Sequence, residues 1–257
     1  MLNAAEQRHA RILELLGEKG FLDVQTLSAE AGVSGATMRR DLAELDEAGR
    51  LRRTHGGAVS VTQVSQDPAN AVRAVSHQSE KAIIAAAASK MVDDGDTVFL
   101  DAGTTALEVA KFLMARKGLT FISNGADIIA ELIRAEAESV FAVGGEYAAI
   151  NRAFRGPLSE QIIRQFSVDK LILNAASIDL DRGLIFTGSF LNASVQKAMI
   201  EVSRRVIVVA DHSKFTKSSF AVTTSLENVG VIVTDAGAKG IVKAVPETLR
   251  RKFVIAD

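Results

Sequence analysis

The sequence predicts a two-part α/β protein: a small helical head ending in a β-hairpin, then a larger domain on a mainly parallel sheet. Three observations carry this. Residues 5–45 hold three stretches with apolar residues at helical spacing, punctuated by glycines, and a basic hairpin follows them. From residue 79 onward, short apolar runs alternate with amphipathic helical stretches, the pattern of a parallel sheet covered on both faces. Of the 257 residues, 47% are apolar, with no Trp and one Tyr, which suits an Ala- and Val-rich core.

The bulk numbers exclude several classes. Net charge is −1, so any nucleic-acid surface must be local. Cysteine is absent, which removes disulfides and thiolate metal sites and suits a cytoplasmic location. The charged, helical start does not read as a signal peptide, and the longest apolar runs are too short for a bilayer, so no membrane partner is expected. His9, His55, His77 and His212 share no metal-ligand spacing, so neither a metal nor a cofactor is expected.

In the head, Ile12, Leu13, Leu15 and Leu16 pattern a first helix over 5–16, stopped by Gly17 and Gly20. Residues 21–24 read as a short extended link. A second helix spans 24–31 and ends at Gly32. A third follows in "VSGATMRRDLAELDEAGRL", with Ser34 as N-cap accepting from the N–H of Thr37. Met38, Leu42 and Leu45 face inward, which turns Arg39 and Arg40 outward. Residues 51–59 then read as a basic strand, a Gly-Gly turn and an apolar return. Helix, helix–tight turn–helix and hairpin make a winged helix-turn-helix. Its third helix fits a major groove about 12 Å wide, and basic wing residues reach phosphates.

The run "VSGATMRRDLAELDEAGRLRRTHGGAV", 33–59, resembles the N-terminal signature of DeoR-family transcriptional regulators. The resemblance implies a DNA-binding repressor of sugar catabolism with a C-terminal sensor similar to ribose-5-phosphate isomerase. It places Ser34, Thr37, Arg39 and Arg40 on double-stranded operator DNA, with Arg52, Arg53 and His55 beside them. One head reads only a short half-site, so a homodimer or homotetramer is expected, held by the larger domain.

Residues 60–77 are polar and aperiodic and contain Pro68. They read as the connection between a DNA-binding domain at 1–59 and an effector domain at 78–257. Helices are expected over 79–92, 105–115, 127–134, 158–166, 193–203 and 238–245. Strands are expected over 97–100, 119–123, 139–143, 170–174, 206–210, 229–234 and 252–255. Ligands of such sheets bind beyond the carboxyl ends of the strands.

Five strands end in polar loops: Asp101-Ala102-Gly103-Thr104-Thr105, Ser123-Asn124, Gly144-Gly145, Ala176-Ser177-Ile178-Asp179 and Asp211-His212-Ser213-Lys214. In the first, a strand turns directly into a helix, exposing backbone N–H groups to an anion. Gly103 admits the anion closely, Thr104 and Thr105 add hydroxyls, Lys214 adds charge, and Asp101 and Asp179 accept sugar hydroxyls. The expected ligand is a small phosphorylated sugar. Neither a Gly-x-Gly-x-x-Gly nor a Gly-Lys-Ser/Thr loop points to a nucleotide. "DAGTT", "ASID" and "ADHSKF" also resemble the DeoR sensor.

The alternative is an isomerase-like enzyme with an appended DNA-binding domain. Sugar-phosphate isomerisation needs a carboxylate base near the reacting carbons. Against the isomerase, one aspartate is replaced at 176–179, and the catalytic glutamate position holds Gln196, followed by Lys197, which is retained as an effector contact. The cradle is kept while the acid–base set is not, so binding without turnover is expected. Where the family often carries Glu-Glu-Ala, this chain has Leu191-Asn192-Ala193, which implies a different hydroxyl pattern or an extra anionic group on the ligand.

Overall fold

The computed structural model describes residues 4–19, 21–47, 50–53, 57–60, 70–215 and 219–257, and the chain divides into two compact units, Met1–Gln66 and Asp67–Asp257. The N-terminal unit runs α1 (Ala4–Lys19), β1 (Phe21–Asp23), α2 (Val24–Ala31), α3 (Gly35–Glu47), β2 (Leu51–Arg53) and β3 (Gly57–Ser60). The expected hairpin forms, with Leu51 opposite Ser60 and Arg53 opposite Ala58. The extended link is a third strand, pairing Phe21 with Val59 in an antiparallel sheet of order β1-β3-β2.

Local chemistry sets these helices. Asp23 caps α2 by accepting from the Thr26 N–H at 2.8 Å, and Gly32 ends it in the left-handed conformation. Ile12, Leu15, Leu16, Leu27, Met38, Leu42, Leu45 and Leu51 close one small core. Arg8 clamps Asp41 with two hydrogen bonds, 2.6 and 2.9 Å, tying α1 to α3.

The second unit holds a seven-stranded sheet, parallel throughout. Its strands are β4 (Thr97–Leu100), β5 (Thr120–Ser123), β6 (Ser139–Ala142), β9 (Val168–Asn174), β12 (Ser203–Val209), β14 (Val231–Asp235) and β15 (Phe253–Ala256), in the order β15-β14-β12-β9-β4-β5-β6. Side chains alternate across it. Val98 and Leu100 pack with α5 (Gln78–Ser89), α6 (Thr104–Leu113) and α7 (Ala126–Arg134). Phe99 packs on the opposite face with α8 (Pro157–Ile163) and α9 (Phe190–Glu201). Short helices α10 (Lys239–Ala244) and α11 (Glu247–Arg250) precede β15.

Three features depart from the sequence expectation. Residues 70–75, read as part of an aperiodic connection, form helix α4 (Asn70–Val75). Its anchors are tertiary rather than periodic: the Asn70 N–H donates to Ile150 O at 3.0 Å and its amide to Asp127. Residues 146–155 form a hairpin of β7 (Glu146–Ala148) and β8 (Ala153–Arg155). Finally, β10 (Ser177–Asp179), β11 (Leu184–Thr187) and β13 (Ala221–Ser225) make a separate antiparallel sheet. These strands are too short to show period-two alternation.

Candidate functional site

In the N-terminal unit the capped start of α3 is built as expected. Ser34 Oγ accepts from the Thr37 N–H at 3.2 Å and lies 2.9 Å from the Thr37 hydroxyl. Burial of Met38, Leu42 and Leu45 leaves Ser34, Arg39 and Arg40 exposed and Thr37 half-buried. Arg40 is 83% exposed, with Nε 3.4 Å from Glu44. This is a helix N-terminus with a hydroxyl pair and two projecting guanidinium groups, chemistry suited to base edges and phosphates. Arg52 and Arg53 lie in β2 with side chains outside the described set, and His55 lies outside the described residues.

In the second unit, β4, β5 and β6 run outward to one side, and β9, β12, β14 and β15 to the other. The order reverses between β4 and β9, the place where parallel sheets open a crevice at their carboxyl ends. The ends of β12, β9, β4 and β5 line a cleft there, in two lobes that share Arg73, Asn174, Ala175 and Ala176.

One lobe, about 200 Å³, is lined by Gly103, Thr104 and Thr105 at the start of α6, with Lys81, His77, Asp211, Ser213 and Lys214. Gly103 is required by close approach, since a Cβ there would sit 2.7 Å from the Asn174 amide. Lys81 is buried on α5 and donates to the carbonyls of Arg73 and, at 2.6 Å, Ser76. Burial pulls its ammonium below the ordinary lysine value; Lys214 and Arg73 act the same way and Asp211 opposes them. Arg73 Nη2 donates to Asn151 Oδ1 at 3.1 Å, while its Nε is buried without a hydrogen-bond partner. Three cations and a helix N-terminus thus converge, a setting that favours an anion.

The other lobe is lined by Asp101, Asn124, Asn151, Arg155, Thr187, Asn192 and Gln196, side chains that can donate to and accept from hydroxyls. Asp101 Oδ2 accepts from the Asn174 N–H at 3.0 Å and from Gln196 Nε2 at 2.8 Å. Burial pushes the Asp101 carboxyl up to about 6 against these bonds. Gln196 also donates to Asn174 O and accepts from the Thr223 hydroxyl at 2.7 Å. The cleft-lining carboxylates among the described residues are Asp101 and Asp211, and Asp211 accepts from Ser213.

The structure therefore brings Asp101, Gly103, Thr104, Thr105, Asn124 and Lys214 to the cleft. It keeps the other expected contacts away from its lining. Ser123 is fully buried and donates to Leu100 O, tying β5 to β4. Gly144 and Gly145 follow β6 at the sheet edge, where Gly144 O accepts from Ser159 and a Cβ on Gly145 would lie 2.1 Å from Ser159 Oγ. Ser177 is buried in β10. Asp179 accepts from the N–H groups of Asp181 and Arg182 and closes the β10–β11 turn. Lys197 is exposed beside the inward-facing Gln196, one helical step around α9.

Sequence reasoning missed Arg73, Lys81, Asn151, Arg155, Asn174 and Thr187. Lys81 had a signal: it falls in register with buried Ile84, Ala85 and Ala88. The histidines hold a second surprise. His77, Glu80 and His212 offer ligand atoms within 4.8 Å of one another, although His212 is far from the other two in sequence, and His212 Nδ1 is 2.8 Å from Asp235. Among the described residues of this unit they are the group with geometry for a divalent ion, but Lys81 and Lys214 in the same lobe favour an anion instead. In the N-terminal unit His9, Asp41 and Glu44 also cluster, with Asp41 already held by Arg8.

Known proteins are similar to this chain in both units. Residues 8–64 match the DeoR-like helix-turn-helix domain and residues 76–236 the DeoR C-terminal sensor domain. The chain is 63% identical to the transcriptional repressor AccR of Agrobacterium fabrum over the full length of both. It is 32% identical to the glycerol-3-phosphate regulon repressor of Escherichia coli, over 90% of each chain. Among solved structures, ribose 5-phosphate isomerase A of Methanocaldococcus jannaschii aligns over 55% of this chain and 56% of its own, at 18% identity and a TM-score of 0.42. With a matching DNA-binding head, a matching sensor and a full-length repressor relative, the chain belongs to the DeoR family of DNA-binding transcriptional regulators.

Proposed function

We propose that the protein represses an operon of carbohydrate use, and that a small phosphorylated sugar in the cleft modulates its hold on operator DNA. The head, residues 1–59, takes the DNA; residues 78–257, with α4 added, take the effector. The observation that carries the effector reading is the meeting of the α6 N-terminus with Lys81, Lys214 and Arg73 beside an amide-lined lobe. The phosphate occupies the cationic lobe and the hydroxyls the other. The glycerol-3-phosphate regulon named for one relative supports a phosphorylated polyol as the ligand class.

Turnover is not part of this reading. The position that would carry a base holds the Gln196 amide, and Asp179 is engaged in its own turn. The protein works as a homodimer or homotetramer in the cytoplasm. Phe190 and Phe220, 69% and 46% exposed and in edge-to-face contact 4.9 Å apart, offer an apolar patch for a second copy. A thermal-shift panel of triose, pentose and hexose phosphates, each beside its free sugar, tests the effector reading. At 100 times its dissociation constant a true effector adds about 2.7 kcal/mol, a shift of roughly 5–10 °C. Equal stabilisation by the free sugars would contradict it.

A further inference from the structure

We propose that Arg73 reads the anionic group of the effector and, through α4, couples its binding to the DNA-binding unit. The proposal rests on the anionic-effector reading above. Helix α4 is the first described element after residues 61–69, which lead from the DNA-binding unit. Whatever holds α4 therefore sets where that connection begins.

Among the described residues, the contacts that hold α4 are polar. Asn70 is fixed to Ile150 and Asp127, Arg73 to Asn151, and Lys81 reaches back to the Arg73 and Ser76 carbonyls. Val75, at the end of the helix, is 71% exposed and adds no core anchor. Two of these attachments use charges that face the cleft. Arg73 stands in the wall common to both lobes, and its buried Nε lacks a hydrogen-bond partner. Lys81 spends its ammonium on carbonyls, weaker partners than an anion.

An anion at Gly103–Thr105 draws both groups. Arg73 gains an acceptor for Nε and turns from Asn151. Lys81 turns from the carbonyls of Arg73 in α4 and Ser76 just after it. Both contacts that fasten α4 to the cleft thus change in one binding event, and a neutral sugar changes neither. The coupling requires no contact between effector and DNA-binding unit, only that the effector bind differently to the two states of α4.

Hydrogen exchange by mass spectrometry on the full chain tests this, with inorganic phosphate and glycerol 3-phosphate as probes and thermal shift as the measure of binding. In the wild type, a saturating probe changes exchange at amides 71–77. In Arg73→Gln, probe affinity falls about tenfold or more and the exchange change disappears. Asn151→Asp, which holds Arg73 in an ion pair, also weakens the probe severalfold; it keeps the arginine and answers the question if Arg73→Gln does not fold. Unchanged exchange at 71–77 in a probe-saturated wild type overturns the coupling while leaving the anionic effector standing. Wild-type affinity in both variants does the same. If neither probe nor any phosphate ester of the panel stabilises the wild type, both readings fall together.

Discussion

Gln196 donates its side-chain amide to Asp101 at 2.8 Å, onto the same carboxylate oxygen that takes the main-chain N–H of Asn174. The bond ties α9, β4 and β9 together where the strand order reverses. A neutral donor at 196 accommodates a buried carboxyl, whereas an acid there would set two carboxyls at hydrogen-bond distance and force one to hold a proton. The pair is a positioned hydrogen bond in the wall of the cleft, where residue 196 offers an amide rather than the carboxylate that proton abstraction needs.

The pH dependence of stability reports on this bond. Burial raises the Asp101 carboxyl to about 6 from 3.8. A raised carboxyl contributes most below its unfolded value and loses that contribution as pH rises through the folded one. Relative to Asp101→Asn, the wild type is therefore expected to lose up to about 3 kcal/mol between about pH 4 and pH 6.5. Urea melts of both proteins across that range measure it. Parallel curves would show that Asp101 stays ionised throughout.

Much of this was legible in the sequence because short-range chemistry writes it there. Ser34 three residues before Thr37, with Met38, Leu42 and Leu45 at helical spacing, fixes α3 and its outward arginines. Gly103-Thr104-Thr105 after an apolar run fixes the strand-to-helix turn. Sheet order is not written locally. Five polar loops look equivalent along the chain, yet β6 lies at the edge, so Gly144 and Gly145 pack on Ser159 while the loops of β12, β9, β4 and β5 meet. The turn that engages Asp179 was hidden because its partners, the N–H groups of Asp181 and Arg182, carry no side-chain signature. Arg73 was hidden because α4 is held by Ile150, Asp127 and Asn151, all far away in sequence.

Arg40 projects from the first turns of α3, largely exposed, with its Nε 3.4 Å from the exposed Glu44. Arg40→Ala is expected to cost about 1–3 kcal/mol of operator affinity if it reads a base, with little effect on folding. Arg53→Ala, in the hairpin, is expected to weaken all sequences alike and to reduce the salt slope by about 1. Gel-shift titrations on cognate and scrambled duplexes at several salt concentrations separate the two. Wild-type affinity in both variants would remove α3 and the hairpin from the DNA interface.

The Arg8–Asp41 pair holds α3 to α1. The Arg8 hydrogen bond keeps the buried Asp41 carboxyl below its usual value, so its contribution is present above about pH 4 and is lost as pH falls through the lowered value. Asp41→Asn is expected to cost about 1.5–3 kcal/mol at pH 7 and progressively less in acid. Denaturant melts followed by circular dichroism check this. A cost that stays constant down to pH 2 would mean that the pair contributes packing rather than charge.

The edge-to-face pair Phe190 and Phe220 is the patch to test for self-association. The double substitution Phe190→Ser, Phe220→Ser removes exposed apolar area without opening the core. It is expected to shift the protein toward monomer in sedimentation at micromolar concentration and to weaken operator binding accordingly. An unchanged sedimentation profile would place the interface elsewhere.

The central claim is that a phosphate ester in the cleft changes the grip on DNA, and fluorescence anisotropy of a labelled operator duplex tests it most directly. The duplex is one selected by the protein from genomic fragments. It is titrated with the phosphate ester giving the largest thermal shift, then with the same compound after phosphatase treatment, on wild type and Thr104→Asp. A saturable change in operator affinity is expected with the ester, none with the dephosphorylated sugar, and none with Thr104→Asp, whose carboxylate fills the cradle with like charge. An equal response to the free sugar, or an intact response in Thr104→Asp, would contradict it.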